Sequence, residues 1–146
     1  MFQVASITKS FKEKAVLKGV SFSIEEGDKI ALLGNNGAGK STLFNIIAGQ
    51  LQADSGTIKT SLDFQREIGM MPQGDLLIED LTLAEFVELK SRMNQQKQAD
   101  INGLLEMVEL RESREQMVGS LSGGQKRRLS LLLTILNHPK LIFLDE

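Results

Sequence analysis

Two glycine-rich stretches and one pair of carboxylates are the parts of this sequence whose residue types and spacing could do chemistry. The first stretch, Gly34-Asn35-Asn36-Gly37-Ala38-Gly39-Lys40-Ser41, fits the phosphate-loop pattern G-x-x-x-x-G-K-[ST], known as Walker A. Its glycines let backbone N–H groups face phosphate oxygens, and a helix beginning there adds the positive end of its dipole. Lys40 would bridge the β- and γ-phosphates of a nucleotide, and the Ser41 hydroxyl would ligate Mg²⁺. The alternative is a glycine-rich turn with an exposed lysine.

The second stretch is Leu121-Ser122-Gly123-Gly124-Gln125. Ser122 and Gln125 form an S-x-x-Q capping box, which is a sufficient structural role for those two residues. The glycine pair remains unexplained, because each glycine lowers helix stability by up to about 1 kcal/mol relative to alanine. The pair makes sense if another molecule must approach this backbone closely. A helix N-terminus carrying a serine hydroxyl is a second site for an anion.

The carboxylate pair, Asp145-Glu146, follows the apolar run Leu141 to Leu144. Ligands of α/β sheets bind at the carboxyl ends of parallel strands, where a carboxylate can hold Mg²⁺ or polarise a water molecule. Taken alone, such a pair is usually a solvated strand end.

The elements that would position these residues begin with β-rich segments at Phe2 to Ile7 and Val16 to Ile24. The continuous apolar run Ile30 to Leu33 predicts a strand buried on both faces of a parallel sheet. A helix should open near Gly39 and close at Gly49, which is placed as its C-terminal cap.

The second half changes from strands to helices. Short strands are predicted at Thr57 to Lys59 and at Ile68 to Met71. Thr82 to Glu85 is a capping box that starts a helix, and a second helix is predicted near Ile101 to Leu110. A third helix follows the second glycine stretch and ends before Pro139.

Leu121 to Gln125 is identical to the LSGGQ signature of ABC (ATP-binding cassette) ATPases, and the other family motifs follow in their expected order. The chain therefore resembles the first part of an ABC ATP-binding domain, ending just after the Walker B strand. The resemblance implies an α/β fold with a P-loop (RecA-like) parallel sheet core, an antiparallel β edge and a helical subdomain, incomplete at the C-terminus. It also implies a nucleotide-binding core with Walker A and a β subdomain at 1–73. A helical subdomain at 74–121 and a returning helix and strand at 122–146 would follow.

In that family two domains pair head to tail, and each ATP lies between one partner's Walker A loop and the other's signature. The resemblance then implies that Asp145 holds Mg²⁺ through water and that Glu146 polarises the attacking water. Gln73 would sense Mg²⁺ or that water and touch the membrane partner, although such a glutamine is otherwise a turn residue. Phe11 would stack on adenine, the alternative being a core position, and Thr42 would reach the α-phosphate. The implied nucleotide-binding residues are Phe11, Gly34, Asn35, Asn36, Gly37, Ala38, Gly39, Lys40, Ser41, Thr42, Ser122, Gly123, Gly124 and Gln125, the catalytic residues are Lys40, Gln73 and Glu146, and the metal ligands are Ser41, Gln73 and Asp145.

Composition narrows the class of protein. The 146 residues are at most one domain, and 17 basic against 19 acidic residues give a net charge of −2, with no general drive toward nucleic acid or anionic membrane. No cysteine is present, so disulfides and thiolate metal sites are excluded. The N-terminus lacks the pattern of a secretory signal. The longest apolar-rich stretch, Leu129 to Leu136, falls short of the roughly 20 residues that span a bilayer, so another segment or polypeptide would have to do so.

These observations predict the ATP-binding subunit of an ABC transporter, cytoplasmic and peripheral on the inner face of the membrane. Its partners would be ATP, Mg²⁺, a transmembrane permease and a second ABC domain, with no nucleic acid. The tail of the signature helix, Arg127 to Leu133, looks more like drug- or peptide-exporter ATPases than amino-acid importers. The alternatives are a non-transport ABC ATPase acting on ribosomes or DNA, an ATP-binding module without turnover, and a P-loop kinase or GTPase.

The sequence also departs from the family pattern. The D-loop and the switch histidine are missing, and His138, at a predicted helix end, is a structural residue by default. We expect a truncated chain, an incomplete reading frame or a chain stabilised by self-association. Residues 1–146 alone would bind ATP weakly and show little or no turnover, because the γ-phosphate sensor is absent.

Overall fold

A computed structural model of the chain describes residues 1–71, 77–94 and 99–145. By their internal contacts these residues form two units, one of residues 1–64 together with Asp145 and one of residues 65–144. The boundaries predicted near residues 73 and 121 divide the chain by the motifs that each part carries and not by internal contacts. They stay a prediction.

The first unit is built on an antiparallel sheet of three strands in the order β2-β1-β3. The strands are β1 (Phe2–Phe11), β2 (Lys14–Ile24) and β3 (Ser55–Thr60). Phe2 and Val4 are each only 1% exposed, and they alternate along β1 with the partly exposed Gln3 and Ala5. The predicted antiparallel β edge is therefore confirmed.

Helix α1 (Lys40–Ile47) follows the phosphate-loop sequence and buries one apolar face. Its end is the predicted glycine cap, because Gly49 takes a φ of 71° and donates its N–H to Ile46 O at 3.1 Å. A left-handed residue just past a helix suits glycine, which has no Cβ to clash. The buried residues of α1 are Leu43, Phe44, Ile46 and Ile47.

The predicted buried strand at Ile30 to Leu33 is wrong for this structure. These residues carry no strand assignment, and Ile30, Leu32 and Leu33 are 48%, 46% and 91% exposed. A strand exists only when a neighbour completes its hydrogen bonds, and none of the strands among the described residues pairs with this segment. The apolar run indicates that the segment favours a buried strand, but it does not indicate whether a neighbouring strand is present to pair with it.

The second unit contains a parallel pair of strands, β4 (Ile68–Met71) and β5 (Leu141–Leu144). Their bounds match the predicted strands. Burial of β5 is only partial, because Ile142 and Leu144 are 41% and 57% exposed. One face of β4 is closely covered, since a Cβ on Gly69 would lie 2.7 Å from Thr134 O.

Three helices complete the second unit: α2 (Leu83–Met93), α3 (Ile101–Met107) and α4 (Gly123–Ile135). Two short 3₁₀ turns, Arg111–Ser113 and Val118–Ser120, connect α3 to α4. The predicted helix near 101–110 ends early, because Glu109 adopts a φ of 57° that an α-helix cannot contain. The apolar core of this unit is Leu83, Phe86, Val87, Leu105, Val108, Leu110, Val118, Leu121, Leu129 and Leu132.

The parallel strand pair, the antiparallel sheet and the helices together confirm the α/β class. Within the described ranges, none of the helices has the length and apolar character that crossing a bilayer requires.

Candidate functional site

The phosphate-loop sequence adopts a curled backbone that depends on two of its glycines. Gly37 and Gly39 have φ values of 82° and 95°, in the left-handed region that L side chains rarely enter. Between them, Ala38 donates its N–H to Asn35 O at 3.0 Å, which closes a turn. The loop residues before Gly39 are exposed, so this backbone is accessible to a ligand.

Strand β2 packs against the phosphate loop at Gly39. A Cβ on Gly39 would lie 2.9 Å from both Val16 Cγ1 and Leu17 Cδ2, so no side chain fits there. Val16 is the extra residue of a β-bulge opposite β1, and bulges re-aim side chains in this way. The last glycine of the pattern is therefore required twice, by its backbone angle and by this packing.

The start of α1 is open to an anion. Gly39 is its N-cap residue, no side chain caps the helix and no acidic residue lies in its first turn. The first N–H groups of any helix lack an intrahelical acceptor, and the dipole adds positive potential there. Helices α2 and α4 differ, because each closes its first turn with a capping box.

Lys40 reaches back over its own loop. Its Nζ donates to Gly34 O at 2.6 Å and to Asn35 O at 3.3 Å. The ammonium is thus held beside the curled backbone by carbonyl oxygens, which are acceptors that phosphate oxygens can replace.

Two of the predicted metal ligands lie together. Ser41 Oγ donates to Asp145 Oδ1 at 3.4 Å, although the residues are 104 positions apart in the chain. A hydroxyl and a carboxylate are hard oxygen donors of the kind that Mg²⁺ binds while keeping several waters, so these residues fit the ion. The other predicted participants, Gln73 and Glu146, lie outside the described residues.

The second glycine stretch begins α4 with the predicted capping box. Ser122 N–H donates to Gln125 Oε1 at 2.8 Å, and Gln125 N–H donates to Ser122 Oγ at 3.3 Å. Leu121 anchors the turn in the apolar core at 5% exposure. Among the described residues outside the helix's own backbone, a Cβ on Gly123 or Gly124 would meet no heavy atom within 4 Å, and neither glycine has a positive φ. Internal packing therefore gives no reason for glycine at these two positions.

Gln125 is held by a residue that the sequence did not predict. Its Nε2 donates to Ser113 Oγ at 2.9 Å, and Ser113 is 8% exposed. Both ends of the Gln125 amide are thus engaged inside the chain, which favours a role in orienting the turn. Direct contact of Gln125 with nucleotide stays a prediction. Nothing in the spacing of the sequence signals the contact, because Ser113 lies in a 3₁₀ turn twelve residues away.

The basic run after the signature is paired with acidic residues of its own unit. Lys126 Nζ lies 3.3 Å from Glu79 Oε1, and Arg128 Nη1 lies 3.0 Å from Glu109 Oε2. Carboxylates of the same unit therefore engage both of these cations.

Phe11 lies at the end of β1 and is 47% exposed. The alternative that it is a core residue is therefore excluded. Its ring contacts the Lys9 ammonium, 5.7 Å from the ring centroid.

Comparison with known proteins settles the family. A family model described as ABC transporter matches residues 17–146, which include both glycine motifs and the carboxylates. The chain belongs to this family. Members of the family bind ATP and are ATPases, and the predicted motifs and fold agree with that membership.

Several curated ABC relatives match along the chain. An uncharacterized ABC transporter ATP-binding protein, YxlF of Bacillus subtilis (strain 168), is 38% identical over 154 residues, covering 100% of this chain and 52% of the relative. Nod factor export ATP-binding protein I of Rhizobium sp. (strain N33) is 37% identical, covering 98% and 51%. Linearmycin resistance ATP-binding protein LnrL of Bacillus subtilis (strain 168) is 33% identical, covering 100% and 51%. The chain spans about half the length of these relatives.

Solved structures agree with this ABC fold. One, described as the ATP-binding subunit of an ABC transporter, has a TM-score of 0.83 at 25% identity, covering 100% of this chain and 66% of that one. Another, an ATP-binding cassette of an ABC transporter in its ADP conformation, has a TM-score of 0.78 at 26% identity, covering 97% and 66%.

Proposed function

We propose that the full-length protein is the ATP-binding subunit of an ABC transporter. In this proposal it binds and hydrolyses Mg·ATP in a head-to-tail dimer and drives transport through a membrane permease at the inner face of the membrane. The observation that carries the proposal is the pair of glycines at the start of α4, where an added Cβ would meet no packing neighbour within 4 Å among the described residues.

The Walker A loop supplies the phosphate end of the proposed site. Its uncapped helix start and the Lys40 ammonium supply N–H donors and positive charge, while Ser41 and Asp145 bring two oxygens together for Mg²⁺. When bound, Mg²⁺ would neutralise charge on the phosphates. Thr42, the next residue of the first turn, is proposed to contact the α-phosphate.

The signature turn supplies the second half of the site. Backbone without side chains at Gly123 and Gly124 lets a γ-phosphate come close, and the dipole of α4 favours its charge. In the capping box the Ser122 oxygen accepts a hydrogen bond, so its own O–H remains able to donate to that phosphate. Head-to-tail pairing follows the family resemblance, in which each signature serves the partner's ATP.

Hydrolysis is proposed to use Glu146 to polarise the attacking water, with Gln73 as the sensor of Mg²⁺ or of that water. The exporter direction of transport is proposed from the tail of the signature helix. It is supported by a relative whose name describes Nod factor export.

A complementation experiment tests the head-to-tail arrangement. Lys40→Ala removes the Walker A ammonium, and Gly124→Asp puts a carboxylate where the γ-phosphate would approach. Gly124→Asp should not unfold the chain, because none of the described residues outside the helix packs within 4 Å of a Cβ at Gly124 and an acidic side chain suits a helix start. Each variant alone should fail to associate with Mg·ATP in sedimentation velocity, and each should lose turnover.

A mixture of the two variants should recover both properties in part. In a mixed dimer, one of the two sites combines the intact Walker A loop of the Gly124→Asp chain with the intact signature of the Lys40→Ala chain. If the mixture stays as inactive as the separate variants while the unsubstituted protein associates, the signature acts within its own subunit and the proposal is wrong.

A further inference from the structure

A lysine and an aspartate that the nucleotide motifs do not include lie beside Phe11. Lys9 Nζ is 2.9 Å from Asp54 Oδ1 and 5.7 Å from the centroid of the Phe11 ring. The Lys9 side chain is only 15% exposed, which is low for a lysine. The ammonium is therefore held between a carboxylate and an aromatic ring rather than extended into solvent.

Asp54 fixes this lysine from a separate part of the chain. Its second carboxylate oxygen accepts the N–H of Ser10 at 2.7 Å, and its own N–H donates to Thr8 O at 2.9 Å. Hydrogen bonds from Lys9 and then from Ser10 hold the pKa of Asp54 below its ordinary range, so the carboxylate is ionised at neutral pH. These bonds tie the end of β1 to the start of β3.

The geometry of β1 places the ring against the ammonium. Lys9 and Phe11 are two residues apart on one strand, and such residues point to the same face of a sheet. An ammonium beside the face of an aromatic ring is attracted by the ring's quadrupole. The ring remains 47% exposed, so a further flat group can still pack on it.

The ring also lies on the same hairpin that supports the phosphate loop. Leu17, which Gly39 packs against, pairs with Lys9, whereas Phe11 pairs with Lys14. Three residues along β2 correspond to about 10 Å. The hairpin therefore carries the loop contact and the exposed ring on neighbouring positions.

We propose that Lys9 and Asp54 are positioning residues for recognition of the nucleotide base, acting by holding the Phe11 ring in a stacking orientation. The inference rests on the proposed function, because it requires ATP in the Walker A loop. A ring already fixed by Lys9 loses less side-chain freedom when the base stacks on it, which improves affinity. The two residues act on the base and not on the phosphates.

The test compares ATP with inorganic tripolyphosphate, which has no base. Isothermal titration of the full-length protein with each compound and Mg²⁺ gives the two dissociation constants. Lys9→Met keeps the apolar stem and removes the charge. This variant should weaken the binding of ATP about two- to fivefold and leave the binding of tripolyphosphate unchanged.

Four further variants complete the set. Asp54→Asn keeps an acceptor for Ser10 N–H but not the charge, and it should behave like Lys9→Met. Phe11→Ala should weaken ATP about tenfold. Adding Lys9→Met to it should weaken ATP no further, because Lys9 acts through the ring. Lys18→Met is the matched control, since it removes one positive charge from an exposed position of the same hairpin, and it should change neither constant.

Each other outcome is decisive. Equal weakening of both compounds by Lys9→Met would mean that Lys9 acts as a distant charge on the phosphates, and the inference would be overturned. Unchanged ATP affinity in Lys9→Met beside a loss in Phe11→Ala would overturn it as well. If the unsubstituted protein binds neither compound, the proposed function is wrong, and this inference, which rests on it, is wrong as well.

Discussion

Replacing Gly123 and Gly124 with alanine separates the stability of α4 from its proposed use. In the part of the chain that the structure describes, the added methyl groups would meet no packing neighbour within 4 Å, and neither glycine has a positive φ, so we expect no clash or backbone strain. Alanine is favoured over glycine in a helix by up to about 1 kcal/mol per residue. Because both positions lie in the helix, we expect the double variant to raise the free energy of unfolding by about 1–2 kcal/mol. This gain raises the melting temperature by about 2–8 °C.

The same two methyl groups should abolish the proposed function. They occupy the space through which the partner's γ-phosphate would reach the α4 backbone, so ATP-driven association should weaken at least tenfold, or by about 1.4 kcal/mol. Circular dichroism melts measure the stability, and sedimentation velocity with Mg·ATP measures the association. The expected result is a protein that is more stable and less functional.

Gly103→Ala is the matched control in the same unit. Gly103 also lies in a helix, but a Cβ there would lie 2.5 Å from Asp100 Oδ2, the carboxylate that caps α3. This variant should lose about 1 kcal/mol of stability with association unchanged well below its melting temperature. The reasoning is refuted if the Gly123 and Gly124 alanines lower the melting temperature, or raise it while association stays normal.

Three further predictions concern the local structures that hold the site. Gly39→Ala combines left-handed backbone strain with a clash against β2, so it should lower the free energy of unfolding in urea by about 2–5 kcal/mol. Gly37→Ala adds backbone strain only and should lower the free energy of unfolding by about 1–2 kcal/mol. Gln125→Ala removes the capping box and the bond to Ser113, so it should cost about 1–2 kcal/mol and speed hydrogen exchange at the start of α4. The pKa of Glu85 is lowered by hydrogen bonds from the residue that caps α2, first from its backbone N–H and then from its hydroxyl. The Glu85 carboxylate therefore stabilises the fold fully at a pH above its ordinary pKa. This stabilisation is lost as the pH falls through the lowered pKa.

Each of these has a clear contrary result. Equal losses in Gly39→Ala and Gly37→Ala would show that β2 does not press on the loop. Unchanged exchange at the start of α4 in Gln125→Ala would mean that the capping box contributes nothing there. For the pH dependence, Glu85→Gln is the control: its urea midpoint should fall less on acidification than that of the unsubstituted chain, and an identical fall would contradict the assignment.

Local signals in the sequence predicted most of the elements. Strand β5 and the capping box at Thr82 depend on residues within a few positions of each other, and both lie where the pattern placed them. The Walker A helix was recognisable for the same reason, since its loop and first turn are one continuous stretch. Its Gly49 end is equally local.

Contacts between distant segments were not predictable in this way. Lys9 and Asp54 are 45 positions apart, and no periodic pattern links them. The bond between Gln125 and Ser113 crosses from a helix to a 3₁₀ turn, and the spacing of neither residue announces it. The strand predicted at Ile30 to Leu33 was wrong because an apolar run is a local signal, whereas a strand also needs a hydrogen-bonded neighbour, and none of the described strands pairs with this segment.

The contact between Ser41 and Asp145 has a consequence for the order in which the protein is made. These residues are separated by 104 positions, so the ribosome adds the hydroxyl donor long before the carboxylate. At about 5–20 residues per second, the interval is roughly 5–20 s. During that time the nascent polypeptide already contains its complete Walker A loop, and the contact between Ser41 and Asp145 can form only after synthesis has reached Asp145.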